Sequence, residues 1–244
     1  MHATEWEFRH RFWIIFGLFS LAFFGYFVDH RNASEALVGA LAPHAGTPRR
    51  LELLRAILGC GALLTVAAAA VRSWAAAYLR SEVVHDTVVR TEGLVADGPY
   101  RRVRNPLYLG NVLLSLGMAL LASRLGAVLL VVGQTLFLLR LIGREEAALA
   151  AAEGERFAAY RAAVPRLVPA LTPRVPAAGA TPHWGQGFVG EAFTWILAAA
   201  TAAFAITLNP RILLPSVGAG LAVYWILFLV WKRRGRASPR AAAD

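Results

Sequence analysis

Two clusters in this 244-residue chain have residue types and spacings that could do chemistry. The first is the turn-rich stretch Asp97-Gly-Pro-Tyr-Arg-Arg-Val-Arg-Asn-Pro-Leu-Tyr-Leu-Gly110, polar and basic although it stands between long apolar runs. Gly98-Pro99 reads as a turn. Asn105-Pro106 reads as a helix start, with Asn as the N-cap and Pro at the first helical position, where its missing N–H costs nothing. Backbone N–H groups at such a start favour an anionic ligand. The second cluster is Glu145-Glu146, where an apolar run ends. Carboxylates at membrane depth are costly and tend to be functional. A plainer reading makes them a solvated helix end paired with Arg140 or Arg144. Short connections, however, put both clusters at one end of the same helical hairpin. An arginine-rich, N–H-rich pole opposite a carboxylate pole suits a zwitterion carrying both an ammonium and a carboxylate.

The elements that must position these clusters are membrane helices. The chain is 57% hydrophobic and only 16% charged, whereas a soluble domain carries about 25% charge. Apolar runs at about 12–28, 53–71, 107–122, 125–142, 191–208 and 212–231 approach the ~20 residues that cross a bilayer. The expected fold is therefore all-α, a polytopic helical bundle of about six spans with the site in cytoplasmic segments at the membrane edge. The first apolar run reads as a retained anchor, since no small-residue cleavage site follows it. Ser123-Arg124 alone separates the third and fourth runs, which requires a tight hairpin. In that hairpin Gly110 and Gly117, and likewise Gly126 and Gly133, are spaced to let helices approach closely. Cys60 is the single cysteine, so disulfides and cysteine-built metal centres are excluded.

The net charge of +10 belongs to topology rather than to nucleic acid. With an inner-membrane location and the N-terminus inside, Arg31, Arg49, Arg50, Arg55, Arg124 and Arg211 fall outside, and the other nineteen of the 25 basic residues fall inside. Both termini and the segments 72–104 and 140–174 are then cytoplasmic. Residues 147–163 continue as a helix that stops at Pro165. A Pro/Ala/Gly-rich linker follows at about 170–187, and the last two spans, 188–234, read as a separable hairpin that takes no part in cofactor binding. The N-terminal pair of spans occupies 1–79 and the chemistry-bearing core 80–169.

Taken in order, Gly98-Pro-Tyr-Arg-x-x-Arg-Asn-Pro-x-Tyr-x-Gly110, Glu145-Glu146, Gly154-x-x-Phe-x-x-Tyr160 and Val164-Pro-Arg-Leu-Val-Pro169 resemble the isoprenylcysteine carboxyl methyltransferase family, whose architecture phospholipid N-methyltransferases share. The resemblance covers roughly residues 80–169. It implies S-adenosylmethionine as cofactor, a zwitterion of the kind the two poles suit, and no metal. By the same resemblance Tyr100 and the block Asn105, Pro106, Leu107 and Tyr108 form the cofactor turn, Leu94 and Val95 flank the adenosine, and His85 makes a polar contact. Glu145, with Glu146 beside it, holds the methionine moiety. Two positions depart from the family: Asn105 stands where histidine is usual, and Leu141 where a substrate-orienting arginine is usual, with Arg140 one step away.

The activity this implies is methyl transfer to a lipid or lipidated isoprenoid-like acceptor dissolved in the membrane. The leaving group of a sulfonium is already activated, so alignment and exclusion of water carry the rate. A carboxylate acceptor needs only an arginine to place it, and Arg104 and Arg140 are the candidates. An amine must first lose its proton, which makes O-methylation the preferred reaction. A membrane reductase of the sterol-reductase type is the enzymatic alternative, and a six-span carrier or scaffold the non-enzymatic one. The Asn32-Ala-Ser34 sequon is too short a match to argue from.

Overall fold

A computed structural model of the chain describes residues 2–79 and 96–237. Among these it is helical without a strand, apart from one isolated bridge between Asn32 and Ser123. The helices are α1 (Glu5–Arg9), α2 (Arg11–Phe24, ending in a 3-10 turn Gly25–Phe27), α3 (Ala33–Leu41) and α4 (Thr47–Tyr78). They are followed by a 3-10 turn at Gly98–Arg101 and by α5 (Pro106–Ala119). Then come the long α6 (Arg124–Ala163), α7 (Trp184–Gly190), α8 (Ala192–Thr207) and α9 (Pro210–Ala237).

The bundle is organised around α4. From Gly61 to Ala77 its buried residues are all Gly, Ala, Ser or Thr, so its backbone can be approached closely from more than one side. On one side lies α5, where a side chain at Gly117 would meet the Gly61 carbonyl at 2.6 Å. On another lies α8, joined through Thr65 and Thr201, whose hydroxyls are 2.8 Å apart. Glycine also brings α6 onto α2: a Cβ at Gly126 would collide with the Ala22 carbonyl oxygen. Gly133 differs, since a Cβ there would meet only the Leu18 and Leu129 side chains, at an ordinary 3.4 and 3.6 Å.

Polar contacts divide the bundle into two ends. At the end away from the 97–108 turn, Tyr26 Oη donates to the Leu121 carbonyl at 2.8 Å, and Arg124 pairs with Asp29 at 3.0 Å. The pairing with Arg124 holds the Asp29 carboxyl down at about 2. The expected polar loop there contains α3, whose first turn is capped by Asn32 Oδ1 accepting from Ser34 N at 2.8 Å. Asn32 Nδ2 donates to Tyr26 Oη at 2.6 Å, which ties the sequon asparagine into the fold.

Helix length supports two or three of the six expected spans among the described residues. Among the described residues, Thr47–Tyr78 and Arg124–Ala163 are long and apolar enough to cross a membrane, and the bent pair Trp184–Gly190 and Ala192–Thr207 makes a third if it counts as one span. The helix at Pro106–Ala119 has 14 residues, roughly 21 Å of rise against a hydrocarbon core of about 30 Å. Apolar composition alone had put these shorter helices on a par with the long ones. Exposed Trp13, Phe16, Phe24, Leu63, Leu125, Val128, Val132 and Ile206 give the bundle an apolar exterior.

Candidate functional site

The 97–108 turn is built from the inside. Gly98 has φ +55°, and a side chain there would collide with the Tyr78 ring, so the turn closes against the end of α4 only with glycine. Asp97, 3% exposed, accepts from the backbone N–H groups of Ala178 and Ala180, each at 2.8 Å. Tyr100 is buried, its carbonyl accepts from Tyr160 Oη at 2.8 Å, and burial pushes its own phenol well above the usual range. The segment expected as a linker is bonded along this turn. Ala170 N donates to the Arg102 carbonyl, Arg174 N to that of Arg101, Arg101 Nε to Val175 O, and Arg102 to Leu171 O. Proline-rich composition suggested a tether; unpaired carbonyls of the turn give it a partner instead.

Asn105 occupies the N-cap position of α5 with Pro106 behind it, but its side chain makes no capping bond. Its amide instead donates to Glu146 Oε1 and to the Arg166 carbonyl, both at 3.1 Å. The competing acceptor is a charged carboxylate, which outweighs a neutral peptide N–H as a partner. Arg104 converges on the same group: its Nε donates to Glu146 Oε1 at 3.1 Å, and its Nη1 donates to the carbonyls of Arg161 and Val164 at 2.6 Å. Arg166 Nε lies 3.2 Å from the other Glu146 oxygen. Glu146, 8% exposed, is thus held by two guanidinium groups and an amide.

Glu145 points elsewhere. Its Oε1 accepts from Tyr108 Oη at 2.6 Å, and the charge of Arg11 falls on it from α2. Arg11 is 7% exposed, donates to the Phe8 carbonyl at 3.0 Å and lies over the Phe8 ring at 4.3 Å. The sequence reading took Arg11 as one of many topology charges; an arginine directly before an apolar run was the available signal.

The structure therefore brings Arg104, Asn105, Tyr108, Glu145 and Glu146 together at one end of the α5–α6 hairpin, with Pro106 buried behind them. Arg140 is not among them. Its Nη2 donates to both Glu7 oxygens at 2.7 and 2.9 Å, and its carbonyl accepts from Ala3 N, so it clamps the N-terminal arm onto α6. That bond to Arg140 holds the Glu7 carboxyl at about 2. The neighbouring Leu141 is fully buried in apolar surroundings. His85, Leu94 and Val95 lie outside the described residues.

A larger polar cluster than the sequence indicated backs the first turns of α5. Arg72 Nη1 donates to Asn111 Oδ1 at 2.6 Å, and Arg72 Nε donates to Glu191 Oε2 at the same distance. All three residues are charged or polar groups inside apolar runs, which is again the signal that marks them.

As a donor set this end fits a zwitterion in part. Glu146 is saturated by cations of the chain. Glu145, which accepts from the Tyr108 phenol, is the carboxylate that can face a ligand ammonium, and the side-chain-uncapped start of α5 can face a carboxylate. Among the described residues no group of acidic, histidine or cysteine side chains is arranged to hold a metal ion.

Comparison with curated proteins and with solved structures gave no match. Comparison with protein families gave one: residues 54–155 match the family model described as phospholipid methyltransferase. The matched segment contains α4 from Leu54 onward, the 97–108 turn, α5 and α6 as far as Glu155, and so both acidic residues and the turn they face. The resemblance carried by those motifs accordingly stands on a second footing: over residues 54–155 the chain is similar to the phospholipid methyltransferase family.

Proposed function

We propose that the protein is a membrane-embedded S-adenosylmethionine-dependent methyltransferase that modifies a lipophilic acceptor, with a carboxylate oxygen preferred over an amine as the nucleophile. The observation that carries this reading is the juxtaposition of Glu145 and Tyr108 with the uncapped start of α5, within a segment that matches a methyltransferase family.

When bound, the cofactor supplies a sulfonium-activated methyl group. The chain's part is to hold and shield. Glu145 serves as counter-charge for the ligand ammonium, with Tyr108 fixing the carboxylate by its hydroxyl. The first turn of α5 offers backbone N–H groups to the ligand carboxylate. Glu146 keeps Arg104 and Asn105 in place and so fixes the approach to that turn. Arg104 and Arg140, both read from the sequence as acceptor-placing arginines, each hold a carboxylate of the chain itself; the proposal gives them positioning roles. An acceptor carboxylate is ionised at neutral pH and needs no base, whereas an amine must lose a proton first. A cytosolic cofactor and a membrane-dissolved acceptor can meet only at the bilayer edge, which is where charged residues and apolar helices adjoin here. The same reading places this end of the bundle, with both termini, on the cytoplasmic side.

The test is binding by calorimetry in nanodiscs, followed by turnover. The wild type should bind S-adenosylhomocysteine, and Glu145→Gln, which keeps an oxygen for Tyr108 but removes the charge, should lose at least about tenfold in affinity, as expected for one charged contact. Tritiated methyl transferred to a lipid extract should be released as methanol by mild base if it sits on a carboxylate. Wild-type protein that binds no S-adenosylhomocysteine would sink the assignment, and base-stable label would overturn the acceptor class.

A further inference from the structure

Glu191 lies where α7 and α8 meet at a bend of 62°, and it is 3% exposed. A carboxylate in that position requires a partner. Arg72, six residues before the end of α4, provides it as a two-pronged pair: Nε donates to Oε2 at 2.6 Å and Nη2 to Oε1 at 2.8 Å. Thr194 Oγ1 adds a bond to Oε2 at 3.0 Å. The guanidinium is a rigid fork with donors on more than one edge. Its remaining edge is turned to α5, where Nη1 donates to Asn111 Oδ1 at 2.6 Å and reaches the Leu107 carbonyl at 3.4 Å. The Arg72 stem can lie there because α5 has Gly110 at the crossing, where any side chain would collide with it.

The same corner is fastened by contacts that do not involve Arg72. His183 N donates to the Ala77 carbonyl at 2.7 Å, and Trp195 Nε1 donates to Ser73 Oγ at 2.9 Å. A Cβ at Gly187 would stand 2.6 Å from the Ser73 carbonyl, so α7 runs backbone-close along α4. Residues 183–195 are therefore docked on α4 at the level of the α5 start, whereas the sequence had read 170–187 as a linker and 188–234 as a hairpin apart from the cofactor site.

We infer that Glu191 is a positioning residue of the methyl-transfer site, which through Arg72 holds the Leu107–Asn111 turn of α5, and with it Tyr108, in register with α6. Arg72, Leu107 and Asn111 lie inside the family-matched segment 54–155, and Glu191 lies outside it. The support thus comes from helices that this chain carries beyond the matched core. Without the carboxylate, a buried guanidinium would turn toward water or toward another anion, and Asn111 would lose its donor. The inference rests on reading the 98–108 turn as the cofactor site.

The test compares two full-length variants in nanodiscs. Glu191→Gln breaks the pair. Arg72→Met combined with Glu191→Leu replaces both charges by apolar groups of similar size, a change that buried pairs often tolerate without loss of stability. Both variants should bind S-adenosylhomocysteine at least about tenfold more weakly than wild type, the size of effect expected when one buried hydrogen-bonding group loses its partner. The apolar pair should do so with an unchanged melting temperature. Amide hydrogen exchange at Leu109, Gly110 and Asn111, the first amides of α5 with partners within the helix, should speed up in both. Wild-type affinity in the folded apolar-pair variant, or unchanged exchange at those amides, would overturn the role given to Glu191. Exchange is read without cofactor, so it decides the point even if wild-type protein binds none, an outcome that would instead remove the reading of the turn as a cofactor site.

Discussion

Glu146 and Glu145 are adjacent in sequence and differ in everything that decides a role. Glu146 sits between Arg104, Arg166 and Asn105, buried. Glu145 is turned to Tyr108. Adjacent helical positions are about 100° apart, so two neighbouring carboxylates cannot face the same partner. Glu146→Ala should therefore behave as loss of structure: it strands the Arg104 guanidinium in the interior, at a cost of about 3–5 kcal/mol, and thermal unfolding in detergent should register a large drop. Glu145→Gln should leave the melting temperature close to that of the wild type while binding is lost. If the two variants melted alike, the division between a structural and a ligand-facing carboxylate would fail. The sequence marked the pair as unusual because of its depth. Which member faced the helix start depended on the rotation of α6 relative to α5, and that is set by packing.

Among elements, the glycine spacing of the α5–α6 hairpin was a legible signal of close approach, but its partners were not. Gly110 and Gly117 face α4, and Gly126 faces α2, rather than one another across the hairpin. Periodicity says that residues share a face; it does not say what covers the face. Gly117→Ala and Gly126→Ala should each destabilise the protein by about 1–3 kcal/mol, because the group in the way is backbone that cannot move aside. Gly133→Ala should lie within about 0.5 kcal/mol of wild type, since it meets only side chains, at ordinary distances. Equal losses at all three positions, measured by reversible unfolding, would contradict this reading of the contacts. The same logic explains the segment at 170–180. Its composition is that of a tether, yet its backbone N–H groups answer the carbonyls and the buried carboxylate of the 97–102 turn.

For the whole molecule, the arrangement of polar contacts into two ends agrees with the distribution of basic residues read from the sequence. The N-terminal arm, the 97–108 turn, the acidic pair and the docking of α7 on α4 lie together, while Asp29, Arg31, Asn32 and Arg124 lie at the other end. Which end faces the cytoplasm is a matter of insertion, governed by the excess of arginine at the first end. With Cys60 replaced by Ala, a cysteine at the exposed Leu171 should resist an impermeant maleimide applied to intact cells, and one at the exposed Leu41 should react. The reverse pattern would invert the topology and with it the access of a cytosolic cofactor.

Composition and periodicity were sufficient for a helical membrane protein, because a continuous apolar run of nearly twenty residues satisfies its own backbone groups in lipid as a helix, whereas barrel strands are shorter and alternate. Local chemistry was sufficient for the Gly98 turn and for the helix start at Pro106, since each depends on the φ preferences of one or two residues. Residue types and order were sufficient to point at a methyltransferase core. Tertiary structure alone decided that Asn105 turns from its cap to Glu146, that Arg140 serves the N-terminal arm, and that Glu191 reaches Arg72 from 119 residues away. Those three choices pair charged or polar groups that are distant in the chain. Their energies depend on who is left in the apolar interior to satisfy whom, a question that no local stretch of sequence contains.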